Sequence, residues 1–226
     1  MNFVLLSVCL VVASAFPHEF KLTVDMLDKA IERVKKFPKY IPSYVMEQID
    51  TATDEEKEQF VNFVNKLDKG EYKMDEINNS EDLVKLVEKE APAVGKKARI
   101  IQDEYTKRMQ QVTPQAQEFL AKWEKTWFTN VQQYSGDKKA FFKQMIELIP
   151  QLMEEVHGFS EETWKSLEEQ FPEQTAAWKD NEDRLKQFYE FIKSLPKQDL
   201  AEDPEAFRKF AHLGLQKLLP IEALRA

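Results

Sequence analysis

The sequence predicts an all-α protein, a single compact multi-helix domain of about ten short helices. Three observations carry that expectation. The chain of 226 residues has five glycines, and β-branched alternation of the kind that marks strands is almost absent. Apolar residues recur at three- and four-residue spacing nearly throughout, which is the periodicity of a helix buried along one face. Connections between the periodic stretches are short, which favours neighbouring antiparallel helices, and no stretch has linker composition.

The opening fifteen residues, MNFVLLSVCLVVASA, stand apart. They carry no charged side chain, run apolar from Phe3 to Ala13, and end in Ala13-Ser14-Ala15 before Phe16-Pro17. That is the layout of a secretory signal peptide with a small-residue cleavage site, and it is too short for a membrane span. Residues 1–15 are therefore expected to be removed, leaving a secreted, extracellular chain. Cleavage takes away Cys9, the single cysteine, so the mature fold must rest on packing, without disulfides or thiolate chemistry. In an exported chain, Asn78-Asn79-Ser80 is an N-glycosylation sequon with Asn78 as acceptor.

Helix starts are well marked from there on. Thr53-Asp54-Glu55-Glu56 has capping-box spacing ahead of Phe60, Phe63, Val64 and Leu67. Ser80 reads as an N-cap. Thr113-Pro114 and Asp203-Pro204 place a cap before a first-turn proline, and Ala91-Pro92 does so with a poorer cap. Ser160-Glu161-Glu162 opens a helix bearing Trp164 and Leu167 that Phe171-Pro172 closes. The expected spans are 23–36, 43–50, 54–69, 81–90, 92–110, 114–130, 138–156, 161–170, 173–194 and 204–218.

Chemistry is harder to find. The three histidines, His18, His157 and His212, are scattered, and there is no HExxH, phosphate-cradling glycine loop or nucleophile elbow. Asp180-Asn181-Glu182-Asp183 imitates a calcium loop but has Leu185 where the loop requires glycine. Catalysis is thus the weakest class, with no metal and no cofactor expected. A net charge of −8 argues against nucleic acid as a partner.

Apolar faces are the stronger signal. In TPQAQEFLAKWEKTWF, Phe119, Leu120, Trp123 and Trp127 fall within an arc of roughly 100°, the ordinary width of a helix packed on one side. In AFFKQMIELI, the residues Phe141, Phe142, Met145, Ile146, Leu148 and Ile149 spread over roughly 160°, so that helix must bury two flanks. Leu185, Phe188, Tyr189, Phe191, Ile192 and Leu195 add a further face. Sixteen phenylalanines and four tryptophans on short crossing helices are compatible with a filled core or with an irregular hollow.

FPKYIPSYV, TDEEKEQFVNFV, YKMDEINNSEDLVKLVEKEAPAVGKKA, VTPQAQEF and FSEETWKSLEEQFP follow one another in an order and spacing that resembles the nematode fatty-acid- and retinol-binding proteins. The resemblance runs from about Phe37 to Trp178. It implies a secreted, wholly helical, wedge-like domain whose helices enclose an irregular apolar cavity. It also implies non-covalent carriage of fatty acids and retinol, with no reaction catalysed. A monomer that makes transient membrane contact for lipid transfer is the expected state. Thr53-Asp54-Glu55-Glu56 fits the acidophilic kinase site common in that family, but the capping box explains the same four residues. Two features depart from the family: heavier aromatics at Trp123, Trp127 and Trp164, and a C-terminal extension over 196–226 bearing Phe207, Phe210, Leu213 and Leu218.

Joined to the helical faces, the resemblance assigns the lipid-binding wall to Phe60, Phe63, Leu67, Leu83, Val87, Ile101, Tyr105, Phe119, Trp123, Phe142, Met145 and Ile149. Head-group candidates are Lys96, Lys97, Arg99 and Arg108. Residues 16–195 form the expected lipid-binding domain, with 196–226 as its extension. The rival expectation is a secreted helical protein-interaction module with a filled core and no lipid ligand.

Overall fold

Local hydrogen bonding starts and stops most of the helices where the sequence marks them. A computed structural model describes residues 21–134 and 138–194. Among these lie ten α-helices: α1 Val24–Val34, α2 Ser43–Asp50, α3 Asp54–Asp68, α4 Ser80–Glu90, α5 Pro92–Met109, α6 Pro114–Tyr134, α7 Lys138–His157, α8 Glu161–Gln170, α9 Pro172–Asp180 and α10 Glu182–Ser194. Two short 3₁₀ turns, Pro38–Tyr40 and Met74–Glu76, complete the regular structure of the described residues. The expected signal peptide, the expected cap at Asp203 and span 204–218, and the extension 196–226 all lie outside them.

The capping box at Thr53 is complete. Its hydroxyl accepts from the Glu56 N–H, and its own N–H donates to the Glu56 carboxylate at 2.7 Å. Ser160 caps α8 by accepting from the Thr163 N–H at 3.1 Å. Phe171 ends α8 and leads into Pro172 at the start of α9. Two expectations need correction. The N-cap of α4 is Asn79, whose side chain accepts from the Asp82 N–H at 2.9 Å, while Ser80 is already inside the helix. The single helix expected over 173–194 is two, because Asn181 turns its amide back onto the Ala177 carbonyl at 2.8 Å and breaks the ladder.

The tightest helix pair is α4 with α5. Gly95 is why they can approach so closely, since a Cβ there would stand 2.4 Å from the Glu88 Cα. The chain reverses at Ala91-Pro92, so Gly95 meets Glu88, Arg99 reaches Glu88 and Glu81, and Gln102 reaches Ser80. These descending partners make the pair antiparallel. Helices α2 and α3 pack on α5, and α1 packs on α3. The second half builds on α6, which touches α7 and α8, while α10 packs on α7 and α9 on α8.

Four buried clusters tie these elements together. Phe63, Val64, Val87 and Ala91 join α3 to α4, and Ile41, Tyr44 and Val45 anchor α2. Tyr105, Val112, Ala116 and Phe171 join α5, α6 and α8, and Ile77, Leu83 and Phe128 join α4 to α6. Phe128 is therefore core despite lying off the Phe119–Trp127 stripe. Helix α6 buries more than one flank because neighbours surround it on several sides.

Candidate functional site

Between α1, α2, α3, α4 and α5 the helices leave a cavity of about 300 Å³. The side chains that wall it are mostly apolar, and half of the apolar ones are valine or alanine. Leu27, Ala30, Ile31 and Val34 come from α1, and Val45 and Ile49 from α2. Phe60, Phe63, Val64 and Leu67 come from α3, Leu83 and Val87 from α4, and Val94, Ala98 and Ile101 from α5. Ala52, between α2 and α3, completes the apolar set. Valine and alanine do not reach across a space spanned by five helices, so the middle stays open. A hollow with this lining suits hydrocarbon, and its size falls at the lower end of small-molecule sites.

Four polar side chains border the hollow: Gln48, Glu56, Lys57 and Lys97. Lys57 is paired with Asp28 of α1 at 2.8 Å, and that hydrogen bond raises its pKa above the ordinary lysine value. Asp54 lies further from it, at 3.7 Å. Lys97 donates to the Gln48 carbonyl at 3.1 Å and to the Thr51 hydroxyl at 2.8 Å. Glu56 stands 3.7 Å from Lys97, its Oε2 already taken by the Thr53 N–H at 2.7 Å.

Of the twelve residues assigned to a lipid wall from the sequence, Phe60, Phe63, Leu67, Leu83, Val87 and Ile101 line this cavity. Tyr105, Phe119, Trp123 and Ile149 are not among its lining residues. Tyr105 is buried against Phe171, with ring centroids 5.7 Å apart, and burial pushes its hydroxyl pKa well above the phenolic range. Phe119 stacks edge-on against Phe159 at 4.9 Å and tilts toward Trp123 at 6.2 Å. The Trp123 indole N–H donates to Glu155 at 3.2 Å. Ile149 is half-buried on α7 and away from the cavity. Phe142 and Met145 are also on α7, but their side chains lie outside the described part of the structure.

The head-group candidates separate as well. Lys97 lines the cavity, whereas Lys96 is exposed on the outer side of α5. Arg99 forks onto Glu88 with two bonds of 2.9 Å and reaches Glu81 at 2.6 Å. Arg108 binds Glu104 at 2.8 Å and the Gln170 carbonyl at 3.0 Å, and covers the Tyr44 ring. Asn78 is exposed before α4, with its amide donating to the Glu76 carbonyl and to Asp82. Sequence reasoning passed over α1 and α2, although Leu27, Ile31 and Val34 repeat at helical spacing and could have been read as an inward face.

Comparison with known proteins settles the family. A family model described as nematode fatty acid retinoid binding protein (Gp-FAR-1) matches residues 35–192. The chain belongs to that family. It is a family of lipid-binding proteins rather than of enzymes. The match takes in α2 through nearly all of α10 and leaves α1 just outside it. No curated protein and no solved structure matches the chain. Among the described residues no helix is long and apolar enough to cross a membrane, and no cluster of three metal-ligating side chains occurs.

Proposed function

We propose that the protein is a secreted carrier that holds a single-chain lipid, a fatty acid or retinol, in the cavity between α1 and α5. The observation that carries this reading is the hollow itself, about 300 Å³ walled by aliphatic and phenylalanine side chains, in a member of a fatty-acid- and retinoid-binding family. Burying hydrocarbon supplies the affinity. At about 0.8 kcal/mol per methylene, a sixteen-carbon tail offers roughly 12 kcal/mol gross. Association costs of at least about 4 kcal/mol bring the net to micromolar affinity or somewhat better. Selectivity among chain lengths is loose, because one methylene changes binding by only about 1–3 kcal/mol.

Carriage needs no covalent step, and the protein acts as a monomer that meets membranes only to load or unload. Export through cleavage after Ala15 supplies the compartment. The mature chain titrated with a fluorescent fatty acid is expected to saturate near one lipid per chain and to release the probe to oleate or retinol. No binding at tens of micromolar would overturn the carrier and favour the interaction module with a filled core. Sequencing the N-terminus of protein exported by a eukaryotic host is expected to read from Phe16, and retention of Met1 would remove the secretory part of the reading.

A further inference from the structure

We propose that Lys97 reads the lipid head group, so that the cavity prefers a carboxylate to an uncharged end on the same hydrocarbon chain. This inference rests on the carrier reading above. Lys97 belongs to the set Val94, Lys97, Ala98 and Ile101, which recurs at the spacing of one helical face and turns as a whole toward the hollow. An ammonium therefore stands where that face calls for a hydrophobe. Its side chain is only 18% exposed.

The two lysines at the cavity differ in how fully their charge is met. Lys57 is committed to Asp28 in a close ion pair that also ties α1 to α3. Lys97 is held by two neutral oxygens, the Gln48 carbonyl at 3.1 Å and the Thr51 hydroxyl at 2.8 Å. Its carboxylate neighbour, Glu56, forms a looser ion pair with it at 3.7 Å, beyond hydrogen-bond reach, and is itself engaged by the Thr53 N–H. An ammonium has three protons, and two neutral oxygens leave it capacity for an anion. The neutral acceptors fix the ammonium in place, so a fatty-acid carboxylate gains a charge-assisted hydrogen bond without first ordering the lysine. Retinol and fatty alcohols, which end in a neutral hydroxyl, gain much less.

The test compares oleate, oleyl alcohol and retinol as displacing ligands on the mature chain and on Lys97→Met, Lys97→Arg and Lys57→Met. Lys97→Met is expected to weaken oleate about tenfold while oleyl alcohol and retinol stay within about twofold. Lys97→Arg keeps the preference for the acid, and Lys57→Met does not abolish it. Equal weakening of acid and alcohol by Lys97→Met would make the lysine a packing element and overturn the inference, as would no change for either. A wild-type chain that takes none of the three lipids would overturn the carrier reading and this inference together. Should Lys97→Met lose its helical circular dichroism, Lys97→Gln provides the same comparison with a smaller change in polarity.

Discussion

The two halves of the molecule solve the same packing problem in opposite ways. Around α6, α8 and α9, rings meet rings: Trp123, Phe119, Phe159, Trp164 and Trp178 form a continuous series with successive centroids 6.2, 4.9, 5.7 and 6.3 Å apart. Around α1 to α5, aliphatic side chains and the rings of Phe60 and Phe63 face one another across an open space. Large rigid side chains can tile an irregular gap edge to face, and such contacts add to the burial they bring. Aliphatic side chains close a gap only where their helices come together, as α4 and α5 do at Gly95, and they leave space where the five helices meet around the hollow. The hollow is walled mainly by aliphatic side chains, with Phe60 and Phe63 as its two rings, so aromatic content alone was a poor guide to it.

The largest expected effect tests the close contact between α4 and α5, two of the helices that wall the hollow. Gly95→Val drives a side chain into the Glu88 backbone, which cannot move as a side-chain tip can. It should cost about 3 kcal/mol in urea unfolding by overpacking. Next come two matched substitutions, one in each half. Ala116 is fully buried in the cluster with Tyr105 and Phe171, so Ala116→Phe should destabilise by about 2 kcal/mol. Ala98 faces the hollow, so Ala98→Phe should leave stability near wild type and weaken fluorescent fatty-acid binding about tenfold or more. Equal destabilisation by both would erase the contrast between the halves.

Smaller still, Trp123→Ala removes a half-buried ring and should cost about 1–2 kcal/mol with lipid affinity unchanged, because partial exposure reduces the penalty of a full core truncation. The smallest effect is electrostatic. Hydrogen bonds from Arg99 hold the Glu81 and Glu88 carboxyls below the usual glutamate value of 4.5. Carboxyls with depressed folded-state pKa values stabilise the fold above the unfolded value and lose that contribution as pH falls through the folded one. Wild-type stability should therefore decline toward that of Arg99→Met as pH drops below 4.5. These groups are largely solvated, so the gap should shrink in high salt.

Helix ends were legible because they are local. The bounds of α2 and α8 agree with the sequence reading to the residue, and Thr53, Ser160 and Ala91-Pro92 act where their side chains predict. Where the reading failed, a side chain had two local options: Asn181 could extend a helix or break it, and Asn79 could precede the cap or be it. The site was legible in part. Phe60, Phe63, Leu67, Leu83, Val87 and Ile101 could be placed because α3, α4 and α5 have clear inward faces. Tyr105, Phe119 and Trp123 have equally clear inward faces, yet theirs meet other protein. Periodicity tells which face turns inward, whereas the distance to the opposite wall is set by helices far away in sequence.

Helix α1 gives that open space an unusual wall. It supplies Leu27, Ala30, Ile31 and Val34 to the hollow, yet none of its residues is buried. Its anchors are the Asp28–Lys57 pair, the Lys35–Asp50 pair and the reciprocal bonds between the Leu22 backbone and the Asn65 side chain. The apolar face of α1 thus borders the hollow on its inner side, with Val34 also packed against the Ile41, Tyr44 and Val45 cluster. On the carrier reading proposed above, bound lipid should raise the melting temperature as any ligand of the native state does, and the gain in amide-exchange protection should concentrate in residues 24–34.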